Sequence, residues 1–249
     1  MSTSNPSDAA ISNSPSYPTF EELFNVRTKV TPSTAGRRIF WELNGPFPAA
    51  LHVMKDIHSP TSLTPYFSNG TWHPISQESL CEPKISSVIV SVTQLQNWES
   101  DWKDCHMRHG ELGEAQEGRR YGDLSDYDPN GDSDREEHLL GCCGEPRPRK
   151  KNVKILVKAA SGTFVTVHDY LSTVHPWLMG LKEDITKAEN VWGMGDVSDM
   201  MVNCNGLARL MITEKDNFIA RASIIPNPAP RIALQTQVES PQGYRPVMP

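Results

Sequence analysis

From Val153 to Ile185 the residues restrict the backbone more tightly than anywhere else in the chain. Val153, Ile155 and Val157 alternate with Lys154, Leu156 and Lys158, the period of two expected of a strand with one buried face. Ser161-Gly162 reads as a turn, and Phe164, Val165 and Val167 resume β-forming character. Thr166 and Asp169 then stand three apart, as in a capping box, so a helix is expected to begin there. Leu171, Val174, Leu178, Leu181 and Ile185 follow at steps of three and four, which is one face of that helix. Pro176 interrupts the stripe and removes a backbone donor, so a kink or break is expected near His175. The helix from Val167 to Ile185 should cover a sheet.

Other runs supply that sheet. Ile39, Phe40, Trp41 and Leu43 read as a first strand closed by Gly45-Pro46, and Ile85 to Val92 is the longest β-forming run. Pro48 to Pro83 is punctuated by proline, with Leu51, Val53, Phe67 and Trp72 as core candidates. Asn69-Gly70-Thr71 has the form of a glycosylation sequon and reads as a turn. Gly206 to Ile212 and Phe218 to Ile225 flank a polar tetrapeptide and suggest a closing hairpin.

Residues 1–37, rich in Ser, Thr and Pro, read as a disordered arm, and 227–249 as a disordered tail. Residues 99–151, first acidic and then basic, read as a disordered insertion. The expected architecture is therefore a single α+β domain at 38–226, with one small antiparallel sheet covered by one kinked helix.

This order resembles that of an uncharacterised fungal family with a small β-rich α+β domain. The matching residues are Trp41 to Leu43, the Pro-led strand Pro83 to Val92, Val153 to Val157, the helix entry Val165-Thr166-Val167-His168-Asp169-Tyr170-Leu171, and Gly206-Leu207 onward. They span half of the chain, and the long insertion departs from the family's shorter connection. The resemblance implies a fungal source and a compact fold, and no reaction.

A net charge of -6 disfavours a general nucleic-acid binder, which needs clustered cations against phosphate. No run approaches the ~20 apolar residues of a membrane span, and Met1 to Ser16 lacks the apolar core of a secretory signal. A cytoplasmic or nuclear protein is expected, and five irregularly spaced cysteines suit reduced thiols there. Arg147-Pro148-Arg149-Lys150-Lys151 is a candidate nuclear-import block.

Two metal patterns fall in the insertion. Asp126, Asp128, Asn130, Asp134 and Glu137 occupy positions one, three, five, nine and twelve of a calcium loop, with Gly131 at its sharp turn. Ser133 stands where such loops carry an apolar residue, and no amphipathic helix precedes Asp126. Cys105 with His109, and His138 with Cys142, are spaced by one helical turn and form a candidate zinc set, with His106 and Cys143 beside them. His168 and His175 are about 10 Å apart along a helix and cannot share an ion. No phosphate loop, dinucleotide fingerprint or nucleophile with its base is found, so no catalytic or cofactor-binding residue is assigned. The expected function is a non-enzymatic binding or scaffold module with a protein partner. The alternatives are a metal-responsive protein and a small enzyme whose site is dispersed in sequence.

Overall fold

The computed structural model describes residues 17–107, 118–124, 138–149, 151–160, 163–193 and 199–224. The fold is α+β, as the sequence predicts. Its centre is a four-stranded sheet of β8 (Ser87–Val92), β12 (Lys154–Lys158), β13 (Met200–Asn203) and β14 (Arg209–Glu214), ordered β12-β8-β14-β13. Strand β12 lies antiparallel to β8, with Ile155 opposite Val90 and Val157 opposite Val88. Val88, Val90 and Val157 are fully buried, whereas the intervening pair Leu156 and Ile89 is exposed on the other face. The alternation read from the sequence thus separates core from solvent. One ladder departs from the antiparallel expectation: β14 runs parallel to β8 through Arg209 and Leu210.

Helix α4 (Val167–Gly180) covers this sheet, burying Tyr170, Leu171, Val174 and Leu178. Its start is the expected capping box: the Asp169 N–H donates to Thr166 Oγ1 at 3.1 Å, and the Thr166 N–H donates to Asp169 Oδ2 at 2.9 Å. The break does not fall near His175. The helix runs through Pro176 and ends only at Leu181 (φ -106°, ψ 0°), where α5 (Lys182–Glu189) takes over. An internal proline costs about 3 kcal/mol. Val174 and Leu178, both wholly buried on either side of it, hold the helix against the sheet and offset that cost. The stripe continues to Ile185, again wholly buried, so both helices cover one core.

A second sheet, β2 (Ile39–Trp41), β3 (Leu51–Met54) and β4 (Leu63–Pro65), joins the first where the Leu43 N–H donates to the Met200 carbonyl at 2.8 Å. The hairpin β5 (Phe67–Ser68) and β6 (Thr71–Trp72) turns on Asn69 (φ 51°) and Gly70 (φ 76°), so the sequon residues do form a turn. Two positive φ values in a two-residue loop mark a type I′ turn, for which Asn-Gly is the preferred pair.

The N-terminal arm is not disordered up to residue 37. Helix α1 (Phe20–Asn25) opens with its own capping box at Thr19 and Glu22, and Phe20, Leu23 and Val30 pack on the core. Glu21 accepts the Ile89 N–H at 2.9 Å, and the Pro18 carbonyl accepts the Ser86 N–H, so the arm meets the chain at β8 where β14, paired only with Ser91 and Val92, does not cover it. Strand β1 (Thr31–Pro32) pairs with β7 (Cys81–Glu82), and α2 (Thr34–Arg37) follows. A Cβ on Gly36 would lie 2.6 Å from the Leu80 carbonyl oxygen, so only glycine permits this approach. Residues 1–16 and the expected tail at 227–249 lie outside the described residues.

The closing hairpin is β13 with β14, and the segment expected as its second strand is instead α6 (Lys215–Ala222). Phe218 and Ile219 sit on one side of that helix and pack on Phe40, Met54 and Met201. A short apolar run suits either period, and here the Met200–Val202 segment fills the strand position.

The insertion is also partly structured. Helix α3 follows β8 directly and extends over Thr93–Met107, and β9 (Arg120–Gly122), β10 (His138–Cys142) and β11 (Glu145–Pro146) form an antiparallel ribbon. Its few apolar residues are concentrated: Trp102, Leu139 and Cys142 make a small core against Val191. The basic block is tied down too, with Arg147 2.8 Å from Glu99 and Lys151 2.5 Å from Asp184. Among the described residues no helix is long and apolar enough to cross a membrane.

Candidate metal centre

The last turn of α3 and the β10–β11 turn meet at the small core around Trp102. There one nitrogen of His106 and the sulfurs of Cys142 and Cys143 lie within 4.8 Å of one another. It is the one such group of three among the described residues. Cys142 Sγ and Cys143 Sγ are 3.6 Å apart, too far for a disulfide. Two thiolates on one tetrahedral zinc, each at about 2.3 Å, stand about 3.8 Å from each other. The observed pair is therefore close to chelating distance without any backbone change.

His106 is buried and oriented. Its Nδ1 lies 2.8 Å from the Trp102 carbonyl, which can only accept, so Nδ1 carries the proton and Nε2 the lone pair. A metal-ligating histidine commonly uses its second nitrogen in this way. The Trp102 indole stacks on the imidazole with ring centroids 4.3 Å apart, which fixes the ring plane. His106 is in the last turn of α3, where the carbonyl ends of the helix favour a cation.

Cys143 adds a backbone signal. With Cys142 opposite Glu145, the turn between β10 and β11 is Cys143-Gly144, at φ 55° and 80°. This is the same positive-φ pair as Asn69-Gly70. At the first position of that turn a cysteine costs about 1–2 kcal/mol that an asparagine largely avoids. The chain places asparagine in the exposed hairpin and cysteine here, where its sulfur meets a second sulfur and an imidazole. Arg27 shares the left-handed region at φ 58°, so the strain at Cys143 supports a site only together with the sulfur and imidazole beside it.

The residues expected to bind zinc divide. Cys142 belongs to the trio. Cys105 does not: its Sγ donates to the Val191 carbonyl at 3.4 Å. Neighbours on a helix point about 100° apart, and it is His106 that faces the ribbon. His138 lies outside the trio because it shares strand β10 with Cys142, where four residues span about 13 Å instead of one helical turn. His109 lies outside the described residues, as do all five calcium candidates, Asp126, Asp128, Asn130, Asp134 and Glu137. The signal missed in the sequence is the Cys-Cys-Gly triplet, legible as a turn only once Glu145 is known to pair back to Cys142.

The cysteines of the main core differ in character. Burial pushes the Cys81 and Cys204 thiols up to about 12, which keeps them protonated and inert. Beside the trio lies a cavity of about 740 Å³ between α3, the β10–β11 ribbon and the short 3₁₀ turn Asn190–Trp192. His106 and Cys143 line it and Cys142 is buried behind them. Compared with family models, curated proteins and solved structures, the chain matches none of them.

Proposed function

We propose that this protein is a non-enzymatic binding module whose ribbon is ordered by a thiophilic metal ion, zinc in the first instance, held by His106, Cys142 and Cys143. The observation that carries the reading is the convergence of these three donors within 4.8 Å from two elements far apart in sequence. Two thiolates and one imidazole favour zinc over calcium or magnesium, which take oxygen ligands. An ion here would cross-link α3 to the ribbon, which has little apolar area of its own.

A protein partner, acting in the cytoplasm or nucleus, fits the same reading. The exposed pair Leu156 and Ile89 lies between Lys154 and Lys158 on the outer face of the central sheet, at its β12 edge. Exposed apolar residues with a cationic rim suit a partner better than bulk water does.

Native mass spectrometry of the full chain with and without chelator tests the metal assignment. One zinc per chain is expected, lost on chelation and lost in the double variant Cys142→Ser, Cys143→Ser. A chain that holds no zinc at micromolar supply, or a double variant that holds it equally well, would refute the assignment.

A further inference from the structure

Neighbouring residues of a strand point to opposite faces, so two adjacent cysteines in extended backbone hold their sulfurs apart. Here β10 ends at Cys142, and the positive φ of Cys143 (55°) turns the second sulfur back toward the first, so that the two lie 3.6 Å apart. The two thiols differ in access. Cys142 is buried, whereas Cys143 is exposed and lines the cavity beside α3, so a small oxidant reaches Cys143 first and leaves Cys142 directly behind it to react next. Cys81 and Cys204, kept protonated in the main core, are inert by comparison.

Covalent geometry decides how lasting a bond between the pair is. The Cα atoms of adjacent residues are about 3.8 Å apart, below the range of about 4.4–6.8 Å that relaxed disulfides span, so the bond is strained and easily reduced. Strained and exposed disulfides are the labile, regulatory kind.

We infer that Cys143 and Cys142 are a peroxide-sensitive pair whose reversible disulfide discharges the metal ion. The Cys143 sulfur attacks one oxygen of hydrogen peroxide, the O–O bond breaks, and Cys143 becomes a sulfenic acid while the other oxygen leaves as water. The Cys142 sulfur then attacks the Cys143 sulfur: the S–S bond forms, the S–O bond breaks and a second water leaves. Two electrons pass from the sulfurs to the peroxide. The two protons that complete the waters come from the thiols or, where the metal holds thiolates, from solvent. Zinc is held by thiolates and not by a disulfide, and His106 alone does not retain it. The release of the ion rests on the metal reading above; the bond itself needs only the two sulfurs.

The test treats the full chain, zinc-loaded and metal-free, with hydrogen peroxide, and reads intact mass, alkylation-mapped peptides and free zinc by a chromogenic chelator. Expected are a loss of two hydrogens confined to the peptide that carries Cys142 and Cys143, one zinc released per bond formed, and recovery of both thiols and of zinc binding after a phosphine reductant. With dimedone present, metal-free Cys142→Ser should trap the sulfenic acid on Cys143, and Cys143→Ser should label Cys142 at least about tenfold less. Zinc-bound protein whose cysteines pass to sulfinic acid, or in which Cys143 joins Cys105 across the cavity, overturns this inference and leaves the metal reading standing. A chain that keeps its zinc and both thiols in millimolar peroxide does the same. A chain that never holds zinc yet forms the bond between Cys142 and Cys143 removes the metal reading and the release with it, and upholds the bond.

Discussion

The Trp41 indole N–H donates to His175 Nδ1 at 2.8 Å inside the core, 134 residues apart in the chain. This bond decides the tautomer, because Nδ1 must then be unprotonated. His175 Nε2 carries the proton and donates to the Gly45 carbonyl at 3.0 Å. A neutral imidazole thus links β2, the turn that follows it and the middle of α4, one residue before Pro176.

Stability should therefore fall with acid in a defined window. Burial holds the His175 pKa below its ordinary 6.5, against a smaller upward pull from the Gly45 carbonyl. Below 6.5 the unfolded chain binds more protons than the folded one, so this contribution is fully present above about 6.5 and is lost as the pH drops toward the folded value. His73 is lowered in the same direction, chiefly by burial and then by Arg38. Denaturant melts between pH 7 and 5 should show the loss, and His175→Gln should flatten part of the slope. Trp41→Phe, which leaves Nδ1 without its donor, should cost about 1–3 kcal/mol at pH 7.

Leu178 is wholly buried in the centre of the α4 stripe. Leu178→Asp places an unpaired carboxylate there, and we expect a loss above about 3 kcal/mol, enough to prevent soluble expression or to abolish the cooperative melt. An unchanged melting temperature would place this face in solvent.

Gly36→Ala should be destabilising by about 1–3 kcal/mol, because the added methyl meets the backbone carbonyl of Leu80, which cannot rotate away. The arm should loosen first. Limited proteolysis should release an N-terminal fragment from the variant before the central sheet melts.

Zinc should raise the melting temperature, since an ion bound only by the folded chain stabilises it by about 2.7 kcal/mol at a hundredfold excess over Kd, or about 5–10 °C for a chain of this length. Cys143→Asn gives the clearest reading. It relieves the strained turn while removing one ligand, so the metal-free protein should be slightly more stable than wild type and the zinc-induced shift should shrink. The shift in wild type should also weaken as pH falls, because thiolates and a neutral imidazole are required.

Local order was legible in the sequence wherever a single element carries its own instructions. Thr166 and Asp169 cap α4 because both partners lie within one turn, and Val153 to Val157 alternate because the strand has one wet face, whatever its neighbours are. Asn69-Gly70 makes its turn for the same reason. Tertiary structure decided the remainder. Pro176 stays helical because the sheet holds Val174 and Leu178 in place, and Phe218 joins a helix because Met200–Val202 takes the strand position beside β14. Glu21 settles the arm by meeting an N–H on β8, sixty-eight residues away. The candidate metal centre lies on the same side of this divide. The sequence displays cysteines and histidines in one polar stretch, but whether Cys105 or His106 faces the ribbon is set by the phase of α3. Whether Cys143 reaches them is set by the pairing of Cys142 with Glu145, and spacing along the chain encodes neither, because a donor set is fixed by distances across elements.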